Sequence, residues 1–281
     1  MKRVFSFDVF DTCLIRIHAN PRDLLPELAN EYLRTASQGT SLTAEQIAAM
    51  RLRAEKKART APDSNREDIT LDEIYITLDG LCPGQLDVPL LKQLELELER
   101  RSMHPIKSTL ERIRQLKEAN ERVIYISDTY LPHEFIRQIL SEHGFNDADD
   151  LYVSGETGVL KRTGNLFRHV LEHEGIEAGQ LHHLGDNKRT DYLVPKLMGV
   201  QCDHLYNTRL NRYEKYSPES SDVDTLTVSR INGISRLQRI DTISREAMSS
   251  GIPRLAGDVI GPFLTAYVSW VIQQAGKKGV Q

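Results

Sequence analysis

The sequence contains few cysteines, no long hydrophobic run and no marked excess of charge of either sign. Its three cysteines, Cys13, Cys82 and Cys202, are far apart and lack the spacing of metal ligands, which favours a reducing compartment over a disulfide framework. No stretch approaches the roughly 18–20 apolar residues of a membrane span. The apolar run after Arg3 is also too short for the core of a signal peptide. We therefore expect a cytoplasmic protein without a membrane span.

The charges of the chain are nearly balanced. The formal net charge is −4 and the isoelectric point is near 6.2, so there is no electrostatic reason to expect nucleic acid or an anionic membrane as partner. With 281 residues, of which 40% are hydrophobic and 27% charged, the chain can bury an α/β core and a smaller second domain.

The order of strand-like and helical segments indicates a parallel sheet with right-handed crossovers. Strands are predicted at Val4–Phe10, Arg122–Ile126, Leu151–Ser154 and His182–Leu184. Helices are predicted between and after them at Ser108–Ala119, Glu134–His143, Leu166–Glu174 and Thr190–Met198. This alternation is typical of an α/β protein.

A long helical region, from Pro21 to Ser102, separates the first predicted strand from the second. Thr43 and Gln46 have the spacing of a capping box at the start of one of its helices. The polar stretch Thr60–Asp68 is predicted as a loop. Near the other end of the chain, 207–225 is predicted to be irregular and 227–281 helical.

Four short polar segments, each at the exit of a strand-like run, could together build an active site. They are Asp8–Thr12, Ser127-Asp128, Lys161 between Gly158 and Gly164, and Gly185-Asp186 with Asp191. Open α/β sheets bind their ligands at the carboxyl ends of the strands. We therefore expect these segments to meet at one edge of the sheet.

In this order the four segments resemble the haloacid dehalogenase (HAD) superfamily of hydrolases, over about residues 1–205. The resemblance implies an α/β fold with a Rossmann-like parallel sheet, an inserted α-helical cap domain and a helical C-terminal segment. The implied domains are the core at 1–17 and 104–206, the cap at 18–103, and a C-terminal extension at 207–281.

The resemblance also implies a role for each motif residue. Asp8 would be the nucleophile that forms an aspartyl-phosphate. The other catalytic residues would be Asp11, Thr12, Ser127 and Lys161. Phosphate would be bound by Ser127, Asp128 and Lys161. Mg²⁺ would be bound by Asp8, the backbone carbonyl of Phe10, Asp186 and Asp191.

Four of these residues also have an ordinary structural interpretation. Asp8 could be a turn residue, Ser127 and Asp186 could cap helices, and Lys161 could be a solvated surface residue.

Some further residues have alternatives of the same kind. One helix of the predicted cap carries a basic stretch, which consists of Arg51, Arg53, Lys56, Lys57 and Arg59. This stretch is either a solvated helix face or a cap surface that recognises an anionic substrate. His182 and His183 are adjacent on a strand and should face opposite ways, which disfavours a metal pair. Packing is expected for Trp270, Phe263, Tyr267 and Val271.

One position departs from the pattern of the family's phosphatases, which carry a second Asp two residues after the nucleophile as general acid. Here that position is Phe10, and Asp11 follows one residue later. Because successive strand residues face opposite sides, Asp11 does not inherit the role if the strand stays regular. The departure indicates a good leaving group, an acid from the cap or from water, or a slow or inactive site.

The leading prediction is a Mg²⁺-dependent phosphomonoesterase that acts on a small sugar phosphate or a phosphorylated glycan intermediate. A second hypothesis, favoured by Phe10, is a non-catalytic or weakly active module that binds a phosphorylated ligand or scaffolds a glycosyltransferase. A third, a metal-independent dehalogenase, is disfavoured by Asp186 and Asp191.

Two segments, Asp8–Thr12 and Gly257–Leu264, are also similar to larger bacterial HAD proteins. Those proteins are associated with surface-polysaccharide synthesis and are often fused to glycosyltransferase modules. The similarity suggests glycosyltransferase modules as partners and a chain that is the N-terminal part of a longer protein.

Overall fold

A five-stranded parallel sheet forms the centre of the fold. From one edge to the other, its strands are Asp150–Val153, Arg122–Ser127, Val4–Phe7, Leu181–Gly185 and Gln201–His204. The computed structural model describes residues 3–37, 39–60, 65–215, 224–245 and 260–277. Its strands are β1 Val4–Phe7, β2 Leu14–Arg16, β3 Met103–Pro105, β4 Arg122–Ser127, β5 Asp150–Val153, β6 Leu181–Gly185 and β7 Gln201–His204. β2 and β3 form a separate two-stranded sheet. The predicted α/β class and parallel sheet are confirmed.

The central strands of the sheet are mainly apolar, and the sheet is buried on both faces. In β4, all four residues from Val123 to Ile126 are buried, as expected for a parallel strand covered by helices on both sides. On one face, Val4 and Ile124 pack with Phe167 of the helix Asn165–Glu174. Strand β7 was not predicted, because its sequence, Gln-Cys-Asp-His, is that of a half-exposed edge strand without a hydrophobic signal.

Helices follow the strands in the predicted alternation. They are α1 Leu24–Thr35, α2 Ala44–Arg59, α3 Leu71–Leu81, α4 Val88–Ser102, α5 Lys107–Glu118, α6 His133–Glu142, α7 Ser154–Thr157, α8 Asn165–Glu174, α9 Val194–Leu197, α10 Thr225–Arg245 and α11 Gly261–Lys277. Helices α2–α4 form an insert between β1 and β4. The predicted capping box of Thr43 and Gln46 is present at the start of α2. No helix in the described ranges has the length and apolar character needed to cross a membrane.

The helix predicted at Thr190–Met198 is instead a π-helix, Lys188–Leu193, followed by the short α9. Pro195 explains part of this difference, since it has no backbone N–H to continue an α-helical ladder. Wide turns of this kind occur frequently at functional sites. Parts of three other predicted segments lie outside the described residues: 61–64 of the loop, 216–223 of the irregular stretch, and 246–259 with 278–281 of the C-terminal helices.

The chain divides into two compact units: Met1–Ile15 with Leu25–Tyr206, and Arg16–Leu24 with Asn207–Gln281. The first unit contains the five-stranded sheet and α2–α4. In the second, Arg239 of α10 donates to Glu214 at 2.8 and 2.9 Å and to the Asn207 carbonyl at 2.6 Å. These bonds fix the irregular segment 207–215 against α10.

The packing predicted for Trp270 and its neighbours is not observed. The side chains of Trp270, Phe263, Tyr267 and Val271 are all exposed. Tyr267 and Trp270 stack with ring centroids 6.3 Å apart. The four residues recur at helical spacing and so share one face of α11, and that face is exposed.

Both interpretations of the basic stretch are wrong for Arg51, which is fully buried inside the insert. Its guanidinium donates to both carboxylate oxygens of Glu95, at 2.7 and 2.6 Å. Tyr75 donates to the same carboxylate at 2.6 Å. The guanidinium also lies over the rings of Tyr75 and Tyr130, 5.4 and 5.3 Å from their centroids. Arg51 thus connects α2, α3 and α4. The other four cations of the stretch are exposed.

We expect Arg51→Ala to lower the free energy of unfolding by about 3–5 kcal/mol, because it leaves the Glu95 carboxylate buried without its cation. Urea unfolding followed by circular dichroism measures the loss. Arg53→Ala, which removes an exposed cation two residues away, should change stability by less than about 0.5 kcal/mol. Equal stability of the two variants would show that the buried ion pair does not stabilise the insert.

Candidate active site

The chain leaves β1 through a tight turn that begins at Asp8. The Asp8 amide donates to the Leu184 carbonyl at 2.9 Å, which keeps this residue aligned with β6. Asp11 has a left-handed φ of 54°, and the amides of Cys13 and Leu14 both donate to the Val9 carbonyl. The strand therefore ends at Phe7 rather than at Phe10. Asp11 lies beyond the end of the strand, so the alternation of side chains along a strand does not determine the direction of its side chain.

Two buried hydroxyl groups in this region have no hydrogen-bond partner among the described residues: Thr12 Oγ1 and Ser127 Oγ. Thr12 lies in the turn after β1, and Ser127 is the last residue of β4, the strand next to β1. The interpretation of Ser127 as a helix cap is wrong, since α6 begins only at His133, after Pro132. A buried unpaired hydroxyl at a strand end is able to bind a ligand oxygen.

Lys161 is buried rather than solvated, and its ammonium connects two of the predicted site residues. Nζ lies 2.6 Å from Asp8 Oδ1 and 2.6 Å from Asp191 Oδ1. The backbone amide of Lys161 donates to Asp128 Oδ1 at 2.8 Å. The structure therefore brings Asp8, Lys161 and Asp191 together, with Asp128 holding the main chain of the lysine.

The charges of this cluster shift one another's pKa values. Burial raises the pKa of Asp8, with smaller contributions from Asp191 and Asp186, and Lys161 only partly opposes the shift. Burial acts in the same direction on Asp191, but Lys161 and then His183 outweigh it and lower the pKa of that carboxyl. For Lys161, burial alone would lower the pKa, whereas Asp191 and Asp8 raise it. The charged form of Asp8 is thus the least stabilised of the three groups.

Asp8, Asp186 and Asp191 could hold a metal ion. Each offers a carboxylate oxygen, and these oxygens lie within 4.8 Å of one another. Carboxylate oxygens are ligands suited to Mg²⁺, and a cation beside Asp8 would oppose the burial and the neighbouring carboxylates that raise its pKa. The residues present therefore fit the group that the resemblance implies. The contribution of the Phe10 carbonyl stays a prediction.

Local backbone geometry explains why Asp191 reaches the site. A Cβ on Gly185 would lie 2.5 Å from Asp191 Cβ, so the close approach requires a glycine there. Asp191 Oδ2 also accepts from the Asn187 amide at 2.9 Å. The interpretation of Asp186 as a helix cap is wrong, because Asn187 caps the π-helix by accepting from the amides of Arg189 and Thr190.

His183 is a site residue for which the sequence predicted no role. It lies on the face of β6 opposite to His182, as expected, so the two do not form a metal pair. Its Nδ1 is 2.8 Å from Ser6 Oγ, and its Nε2 is 3.5 Å from Asp191 Oδ1, a long contact. Burial lowers the pKa of His183. A role for His183 could have been inferred from one feature of the sequence: Ser6 and His183 are polar residues within two strands that are buried and lie side by side.

A second group of possible ligands, Asp150, His173 and Glu174, lies on β5 and α8. The negative charge of Glu174 is already balanced by Arg122, which donates to both of its carboxylate oxygens at 2.5 and 2.7 Å. Tyr152 donates to Glu174 as well, at 2.9 Å. We interpret the group as an ion-pair network.

Comparison with known proteins identifies the class of fold. No family model and no curated protein matches the sequence. Among solved structures, a HAD phosphatase from Thermococcus onnurineus is 18% identical with a TM-score of 0.51, covering 83% of this chain and 97% of its own. An L-2-haloacid dehalogenase is 17% identical with a TM-score of 0.51, covering 79% and 89%. A HAD family enzyme from Bacteroides thetaiotaomicron is 12% identical with a TM-score of 0.51, covering 72% and 93%.

The chain therefore has the fold of the HAD hydrolases, with the helical insert in the position of a cap. Phosphatase and dehalogenase both occur among these similar structures. The likeness of fold does not distinguish the two activities, so the choice between them depends on the residues of the site.

We expect Mg²⁺ to raise the melting temperature, because a bound cation relieves the repulsion among the three carboxylates. At a hundred times the dissociation constant the stabilisation would be about 2.7 kcal/mol. Asp186→Ala should remove most of this gain, whereas Asp79→Ala, on the exposed side of α3, should retain it. Thermal unfolding with and without millimolar MgCl₂ measures the difference. Identical melting temperatures in the wild type would count against the metal site.

Proposed function

We propose that this protein is a Mg²⁺-dependent phosphomonoester hydrolase that acts through an aspartyl-phosphate on Asp8. The observation that carries the proposal is the position of Lys161 Nζ, 2.6 Å from both Asp8 and Asp191, in a site where Asp186 adds a third carboxylate. Phosphoryl transfer needs positive charge around a nucleophilic oxygen, and this cluster can supply it from Lys161 and a bound cation.

In the first step, an Asp8 carboxylate oxygen forms a bond to phosphorus, and the ester oxygen leaves with the electrons of the broken P–O bond. In the second, water attacks the phosphorus and Asp8 leaves as a carboxylate. Lys161 balances the negative charge of Asp8 and the phosphate throughout. The unpaired hydroxyls of Ser127 and Thr12 donate to phosphate oxygens. Mg²⁺ held by Asp8, Asp186 and Asp191 would share the charge of the phosphate.

The residue at position 10 limits the choice of substrate. Phe10 cannot protonate a leaving group, and Asp11 begins from a left-handed turn rather than from the strand. We propose that the enzyme acts best on phosphates whose leaving group departs without a proton. A small sugar phosphate or a phosphorylated glycan intermediate stays our proposal for the natural substrate, with a cytoplasmic location and glycosyltransferase modules as partners.

Two alternatives each have an observation in their favour. Phe10 in place of an acid favours a non-catalytic module that binds a phosphorylated ligand. The likeness to an L-2-haloacid dehalogenase favours hydrolysis of a carbon–halogen bond. Against the latter, metal-independent displacement has no need for Asp186 and Asp191 beside Asp8.

Asp8→Asn should abolish phosphate release, by at least about 10³-fold, because an amide cannot act as the nucleophile. Release of para-nitrophenol from its phosphate ester measures the rate, and thermal unfolding verifies that the variant is folded. The matched control is Asp79→Asn, an exposed aspartate, which should retain activity. Turnover by Asp8→Asn near the wild-type rate would rule out the covalent mechanism.

We also expect turnover to depend strongly on the leaving group, with acyl and aryl phosphates reacting much faster than alkyl phosphates. General acid catalysis is worth about 10²–10⁴-fold, and its absence penalises poor leaving groups most. Phe10→Asp should reduce the difference by accelerating alkyl esters. A rate that is independent of leaving-group pKa in the wild type would mean that another residue supplies the proton. No turnover of any phosphate, in a folded protein that Mg²⁺ stabilises, would favour the non-catalytic module.

A further inference from the structure

The segment 65–70, just before α3, is bonded to the loop that carries Lys161. This segment belongs to the helical insert, whereas the loop, 154–164, follows β5 at the carboxyl edge of the sheet. Arg66 donates to the Gly155 carbonyl, and Asp68 accepts from Ser154 Oγ at 2.5 Å. Two residues of the insert therefore hold the start of the loop.

Glu67, between them, makes the most extensive contacts with the loop. Its amide donates to the Gly158 carbonyl at 2.7 Å. Its Oε2 accepts from the Leu160 amide at 2.8 Å and from Thr163 Oγ1 at 2.6 Å, and its Oε1 accepts from Asn165 Nδ2 at 2.5 Å. Burial alone would raise the pKa of Glu67, but these hydrogen bonds, that from Thr163 first, lower it. The carboxylate is thus ionised and bonded on both oxygens.

These contacts occur next to the lysine of the active site. Glu67 holds the amide of Leu160, and Asp128 holds the amide of Lys161 at 2.8 Å. Two successive peptide groups are thus bound by carboxylates from two different parts of the fold. At the other end of the lysine side chain, Nζ is buried against Asp8 and Asp191. A shift of this backbone would move the ammonium away from one or both carboxylates.

We propose that Glu67 is a positioning residue for Lys161 and that the helical insert controls the placement of the ammonium through it. The inference rests on the proposed function only in so far as Lys161 is catalytic, since the placement itself is measurable without turnover. An acidic residue of the insert would thereby act on catalysis without touching the substrate.

Chemical modification of lysines tests the placement directly. Brief treatment of the full chain with acetic anhydride, followed by peptide mass mapping, compares Lys161 with the exposed Lys107 as internal reference. We expect Lys161 to be protected in the wild type and to react several-fold faster in Glu67→Ala. Glu67→Gln keeps an oxygen that can accept from Leu160 and Thr163, and should restore protection. Glu156→Ala, which removes an exposed carboxylate of the same loop, should leave Lys161 protected.

Kinetics with para-nitrophenyl phosphate provide the second measurement. Glu67→Ala should lower kcat by up to about 100-fold, the cost of a misplaced catalytic group, with a smaller change in KM and with recovery in Glu67→Gln. If Glu67→Ala does not fold, Thr163→Val removes one of the donors to Glu67 and should give a smaller change in the same direction.

The two measurements separate the positioning from the proposed function. Unchanged protection of Lys161 in a folded Glu67→Ala variant would overturn the positioning role. Exposure of Lys161 in Glu67→Ala, in a protein that hydrolyses no phosphate ester even as wild type, would support the positioning role while the phosphatase proposal fails.

Discussion

The arrangement of the catalytic edge depends on one buried ammonium held between two carboxylates. Lys161 lies between Asp8, which follows β1, and Asp191, which comes from the π-helix after β6. Removing one partner of such a buried pair typically costs about 3–5 kcal/mol, because the remaining charge has no compensation. The same interaction therefore fixes three segments of chain relative to one another and leaves the site short of positive charge.

Much of the fold could be predicted because apolar strands and capped helices leave local signals. β1 and β4 are mainly apolar, β6 has the sequence Leu-His-His-Leu-Gly, and each is followed by a polar motif. The carboxyl ends of parallel strands meet at one edge of the sheet. This geometric rule alone predicts that Asp8, Ser127 and Asp191 lie in one region. The start of α2 was predicted equally well, since a capping box is a pattern of two residues three positions apart.

The rest could not be predicted because it depends on partners distant in sequence. Arg51 resembles the exposed cations around it, and only Glu95, 44 residues later, makes it a buried residue. Glu67 lies in a polar stretch whose sequence predicts a loop and nothing more, whereas its side chain bonds to an amide 93 residues away. The π-helix around Asp191 has no recognised sequence pattern apart from the position of Pro195.

The bond between Ser6 and His183 has a consequence for how the sheet assembles. The two residues occupy paired positions on β1 and β6, in the interior of the protein. A slip of one strand by a single residue would separate Ser6 from His183 and would pair His183 with Phe5 or Phe7. A buried polar group that loses its partner in this way costs about 1–3 kcal/mol. The apolar residues around this pair can pack against other apolar residues, so they specify the alignment of the strands less strictly. This polar pair can therefore select the correct alignment of two central strands during folding, and with it the position of Asp8 beside Gly185.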